Sequence, residues 1–252
     1  MSSFQVIDGL LTKDNFKHIF IIWFQGFDSM PEICRRCYYS WEQKNPDWTV
    51  HFIDDSNINK YIDLEKLAEF RKIKPIQCYG DAVRLELIHN YGGLYVDATI
   101  FCNMELDIWL NKCLVNDMFI QWDFDSKLPS INFLYSNKRE NKYFDVNIDI
   151  VELDESYHKI NNVFLTNLSF LKNQFCESQL KTFGKSSNNT KPKKGVKIIS
   201  NSFRLMNEKT DKIFEDTLRR YPYFKLTYKS VPPGELTDIF HKKSKLIKLI
   251  SQ

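Results

Sequence analysis

Apolar residues fall in short runs separated by polar turns. Residues 19–25, IFIIWFQ, are strand-sized and rich in Ile and aromatics, which predicts a buried strand. Asp28 and Ser29 stand where they can cap the next segment. Pro31 sits in its first turn, and a helix is predicted from Glu32 to Lys44, closed by Asn45-Pro46. Residues 48–54, WTVHFID, alternate and predict a second strand, after which a polar turn leads into a weaker helix reaching Phe70. From Tyr79 to Asn90 the pattern is helical, with Ala82, Leu85 and Ile88 spaced by three and Gly92-Gly93 as the stop. Residues 94–102, LYVDATIFC, predict a further strand. Its pleat puts Val96 and Ala98 on one side and Asp97 and Thr99 on the other. Strands alternating with helices predict an α/β fold. Residues 103–176 mix short elements whose order the pattern does not give, and a later helix is predicted from Asn207 to Arg220.

The chain has 252 residues, 43% hydrophobic and 27% charged, enough for a large core without metal or disulfide staples. A single domain is expected over 1–252. A formal net charge of +3 excludes a globally basic nucleic-acid binder and a highly charged disordered chain. The six cysteines are too few for a disulfide scaffold of this length and point to a reducing, cytosolic setting. Cys34-x-x-Cys37 has no second ligand pair and reads as packing, not zinc. The N-terminus has no basic residue before an apolar core and does not read as a signal peptide. No run reaches the length of a membrane span. The end, HKKSKLIKLI, is basic and weakly amphipathic, so residues 241–252 are candidates for loose contact with an anionic inner membrane face.

The candidate chemistry lies in YGDAVRLELIHNYGGLYVDATIF, 79–101. Asp81 and Arg84 are three apart on one helix face. Asp97 follows an apolar strand, at the end where open α/β sheets bind ligands. A carboxylate and a hydroxyl on one face can hold a ribose, or a divalent metal on a diphosphate.

Asp-x-x-Arg followed by Tyr-Gly-Gly-x-Tyr-x-Asp-x-Thr resembles the sugar-binding region of glycosyltransferases, in particular the capsular-polysaccharide-synthesis group. That group is related to a class of mannosyltransferases and to the glucosylating domains of large clostridial toxins. The resemblance runs from the strand with Trp23 and Gln25 through CYYSWEQKNPDWTVHFID and is densest over 79–102. It implies a GT-A-like domain: a Rossmann-like nucleotide-binding half, 1–110, and an acceptor-binding half, 111–252, around a mixed central sheet flanked by helices. A flexible basic loop is expected near 181–197.

The resemblance also implies a retaining transferase that uses a UDP- or GDP-sugar and an oligosaccharide or lipid-linked glycan acceptor, in capsule, surface-polysaccharide or viral glycan synthesis. Trp23, Gln25, Tyr95, Asp97 and Asn132 would surround the donor, with Trp23 beside the base. Asp81 and Arg84 would hydrogen-bond the sugar hydroxyls. Mn²⁺ or Mg²⁺ would be held by Asp97 and Thr99, with His241 as a further ligand. His241 lies in VPPGELTDIFHKK, which resembles a degenerate form of the loop closing the donor site. Thr99 stands where the wider family has a second Asp, and a neutral hydroxyl is a poorer ligand for such a metal than a carboxylate.

Two other readings are weighed against transfer. A non-catalytic nucleotide-sugar or glycan-binding protein of the same fold is compatible with Thr99. A phosphotransferase with Asp97 as nucleophile would carry its Asp-x-Asp on the first strand, whereas here the motif is mid-chain.

Overall fold

The computed structural model describes residues 15–72, 76–122, 129–145, 168–183 and 222–225. A five-stranded sheet has the order β2-β1-β3-β6-β5, and a second sheet pairs β4 with β7. The strands of the large sheet are β1 (His18–Ile22), β2 (Thr49–Ile53), β3 (Gly93–Val96), β5 (Met118–Gln121) and β6 (Ser130–Ser136). β1 runs parallel to both β2 and β3, whereas β6 is antiparallel to both β3 and β5. Among the described residues the α-helices are α1 (Glu32–Lys44), α2 (Ala68–Lys72), α3 (Gln77–Tyr91), α4 (Leu106–Trp109) and α5 (Lys172–Phe183). This is a mixed α/β architecture with helices covering the sheet.

The sheet is buried on both faces, and side-chain alternation sorts its residues between two cores. Phe20, Tyr95 and Leu134 pack with α3 residues such as Val83 and Leu87. Ile19, Ile21, Leu94, Val96, Phe133 and Tyr135 pack on the opposite side with Cys34 and Trp41 of α1 and Leu106 of α4. The strand run 19–25 predicted from sequence thus contributes to both cores, and its regular part is His18–Ile22.

Helix α1 has the predicted span, but its start differs from expectation. Pro31 itself is the N-cap, and no side chain bonds there. Ser29 instead donates to the Gly26 carbonyl and accepts from the Trp23 indole N–H. The weak helix predicted up to Phe70 resolves into a 3-10 turn, Ile58–Lys60, and the short α2.

The chain leaves α3 through two positive-φ glycines, Gly92 (φ 66°) and Gly93 (φ 77°). A Cβ at Gly93 would sit 2.8 Å from the His18 carbonyl oxygen, so glycine is what lets β3 close against β1.

The single strand predicted for 94–102 is two strands in different sheets. β3 ends at Val96, Ile100 N–H bonds back to the Asp97 carbonyl at 2.9 Å, and β4 (Ile100–Cys102) pairs antiparallel with β7 (Tyr223–Lys225). Helix α1 anchors this second strand. Trp41 donates its indole N–H to the Ile100 carbonyl at 2.8 Å, and the Ser40 hydroxyl accepts from Cys102 N–H at 2.8 Å.

The six cysteines are free and buried, and burial pushes the Cys34 thiol up to about 12, consistent with packing for Cys34-x-x-Cys37. Among the described residues no helix is long and apolar enough to cross a membrane. The helix predicted over 207–220, His241 with its loop, the centre of the basic loop near 181–197 and the basic end 241–252 all lie outside the described residues.

Candidate functional site

The parallel strands β1 and β3 are neighbours, while the chain following β1 crosses to β2 on the other side. That is a topological switch point, and open α/β sheets bind their ligands at such a point, beyond the carboxyl ends of the strands. Trp23 and Gln25 follow β1, and Asp97 follows β3, so all three stand at that end. Trp23 is half-buried, with its backbone N–H bonded to the Ile53 carbonyl at 2.9 Å, and Gln25 is exposed.

Asp97 continues the alternation of β3 by one residue. It therefore shares the α3 side of the sheet with Tyr95, whose hydroxyl donates to Asp97 Oδ1 at 2.9 Å. Arg84 Nη1 reaches the same oxygen at 3.2 Å and the Ile131 carbonyl at 3.0 Å. The Nη2 of Arg84 lies 3.0 Å from Asp81 Oδ1, and its Nε donates to the Gly80 carbonyl at 3.2 Å. The expected Asp81–Arg84 pair is thus present, with side chains only 5% and 13% exposed. Because α3 is buried along most of its length, the pair is held by packing and is not a loose surface bridge.

The remaining oxygen of Asp97, Oδ2, accepts from Lys225 Nζ at 2.7 Å. Lys225 comes from β7, in register with Ile100 of β4. Sequence reasoning missed it, since a three-residue strand that ends in one lysine carries no local signature. Burial alone would raise the Asp97 carboxyl. The Arg84 and Lys225 cations, with the hydrogen bonds from Lys225 and Tyr95, outweigh it and hold the carboxyl below its ordinary value. Burial, reinforced by the adjacent Asp97 and opposed by Arg84, drives the Tyr95 hydroxyl well above its usual value, so it stays a donor.

Asn132 lies opposite Asp97 across the β3–β6 pair, and Asp97 N–H bonds to its carbonyl at 2.9 Å. Its side-chain Oδ1 is buried with no hydrogen-bond partner among the described residues, so it is an acceptor ready for an incoming donor group. Asp81, Arg84, Tyr95, Asp97 and Asn132 therefore converge.

Thr99 does not join them as expected. The pleat that would align it with Asp97 ends at Val96, and Thr99 falls in the turn between the two sheets. Nor do the residues present fit a divalent cation at Asp97. Its two oxygens already accept from Arg84, Tyr95 and Lys225. A dication there would face two fixed positive charges at close range. Among the described residues no three His, Cys, Asp or Glu side chains are grouped for a metal.

Residues 2–243 match the sequence profile of the capsular polysaccharide synthesis proteins. The chain belongs to that family. Beyond this capsular-polysaccharide-synthesis profile, a protein of Annulohypoxylon truncatum described as the O-glycosyltransferase braB is 32% identical over 109 residues. That alignment covers 38% of this family member but only 26% of the fungal protein. Among solved structures, the PaToxG glycosyltransferase superposes with a TM-score of 0.43 at 16% identity, over 66% of this chain and 73% of that one.

Proposed function

We propose that the chain is a retaining glycosyltransferase of GT-A type that moves a sugar from a UDP- or GDP-sugar to a hydroxyl of an oligosaccharide or lipid-linked glycan in polysaccharide synthesis. The observation that carries this reading is the position of Asp97. It is a charged carboxylate at the carboxyl end of a strand beside the switch point, oriented by Arg84 and Tyr95 and next to the open acceptor of Asn132. Membership in the capsular polysaccharide synthesis family supports it, as does the similarity to the fungal O-glycosyltransferase.

In this reading the donor lies across the carboxyl ends of β1 and β3, with its base beside Trp23. Asp97 accepts from ribose or sugar hydroxyls. Asp81 and Arg84 hold vicinal sugar hydroxyls through directional, charge-assisted bonds, and Asn132 takes a further hydroxyl. The array is built before substrate arrives, so little reorganisation is needed as charge develops on the leaving diphosphate.

The test is a panel of UDP- and GDP-sugars incubated with the full chain, with release of UDP or GDP followed over time, with and without added acceptor glycans. Release from one donor above the no-protein rate supports the reading. Tight binding of a nucleotide sugar with no release from any member of the panel overturns transfer in favour of a binding protein.

A further inference from the structure

The two oxygens of Asp97 are held by groups of different kinds. Oδ1 accepts from the buried Tyr95 hydroxyl and from Arg84, whose side chain is 13% exposed and also bonds Asp81 and the Gly80 and Ile131 carbonyls. Oδ2 accepts from Lys225, whose side chain remains 29% exposed against 13% for Arg84. An ammonium has three donors, and this one spends one of them on Asp97. The antiparallel pairing of β4 with β7 fixes its place, because Ile100↔Lys225 is the register pair nearest the turn that carries Asp97. A partly solvated cation is thus set on the Asp97 carboxylate, two residues before the neutral Thr99 in the sequence.

We propose that Lys225 supplies the positive charge for the donor's diphosphate, seated there by Asp97. This rests on the glycosyl-transfer reading and adds to it the group that meets the leaving anion. In the step, the bond from the sugar's anomeric carbon to the diphosphate oxygen breaks with its electron pair left on that oxygen. The acceptor hydroxyl oxygen forms the new bond to the anomeric carbon, and its proton ends on the leaving diphosphate. Lys225 donates hydrogen bonds to the diphosphate throughout and keeps its own protons.

The experiment compares the full-length protein with Lys225→Met and Lys225→Arg. Calorimetry in EDTA measures binding of UDP and GDP against uridine and guanosine. Donor turnover is followed in EDTA and in increasing Mn²⁺. Lys225→Met should weaken the preferred nucleoside diphosphate by on the order of tenfold or more, the size of one hydrogen bond to a charged group, and leave the nucleoside unchanged. Its kcat should fall by about 100-fold, with partial recovery in Mn²⁺, while the unmutated protein turns over in EDTA and responds little to Mn²⁺. Lys225→Arg should keep most of the binding. Equal diphosphate affinity for Lys225→Met and the unmutated protein overturns the proposal, as does an unmutated protein that binds neither UDP nor GDP in EDTA. Diphosphate binding that depends on Lys225, without turnover of any nucleotide sugar, keeps this assignment and overturns the transfer reading instead. If Lys225→Met unfolds, Lys225→Gln replaces it in both measurements.

Discussion

The guanidinium of Arg84 lies 4.7 Å from the centroid of the Tyr95 ring, joining a helix to the strand that follows it through a cation–π contact. The same plane bonds Asp81, Asp97 and two backbone carbonyls. A lysine has neither the fork nor the flat face to do this. Arg84→Lys should therefore lower donor kcat/KM by about 100-fold, and Asp81→Ala by a comparable factor. Both should affect binding of free UDP or GDP less than they affect transfer, because these side chains meet the sugar and not the base. Calorimetry beside initial rates makes the comparison, and equal losses in both would place the pair at the nucleotide instead.

Asp97→Asn removes the charge that organises Arg84 and Lys225 while keeping the shape. Transfer should fall by at least about 100-fold with the far-UV spectrum unchanged. The carboxyl of Asp97 is held below its ordinary value, and a depressed carboxyl keeps its charge down through that ordinary value of 3.8. Its stabilising contribution is complete above 3.8 and is lost only as pH falls through the lower folded value. A pH–rate profile should therefore show no acid limb from Asp97 above 3.8.

Gly93→Ala should destabilise the protein by roughly 2–3 kcal/mol. The added Cβ would press on the His18 carbonyl at 2.8 Å at a φ of 77°. The colliding group is backbone of β1, so a side-chain rotation cannot relieve it. Urea midpoints measure the loss, and an unchanged midpoint would mean that β1 and β3 can separate without cost.

His18 Nδ1 and His51 Nε2 lie 3.1 Å apart across β1 and β2, with the Tyr61 hydroxyl on the far side of His51 at 3.4 Å. Burial, then the neighbouring His18, lowers His51 from 6.5 to about 4. Burial, then Arg139, lowers His18. A folded value below the unfolded one means that the unfolded chain binds protons first. Stability is full above 6.5 and falls as pH drops from there toward about 4. The slope is at most about 1.4 kcal/mol per pH unit for each histidine. His51→Gln should flatten that slope between pH 7 and 5, read as the difference in urea midpoints. An unaltered slope would assign the acid sensitivity elsewhere.

Much of the site was legible because it is local. The i,i+3 spacing of Asp81 and Arg84 holds on any helix. The Gly92-Gly93 stop reflects a backbone conformation that other residues rarely adopt. The alternation that puts Tyr95 and Asp97 on one side is a property of the pleat. The span of α1 follows from its apolar face and the Asn45-Pro46 stop.

Tertiary structure decided the rest. The sequence by itself could not show that the run 94–102 breaks after Val96 and changes sheets, because both parts are apolar and β-forming. Only the competing partners, β6 and β1 for the first part and β7 for the second, separate them. The pairing of Lys225 with Asp97 spans 128 residues. Local propensity fixes dihedral angles over a few residues, but a contact at that separation exists only once both sheets have formed and α1 has anchored β4.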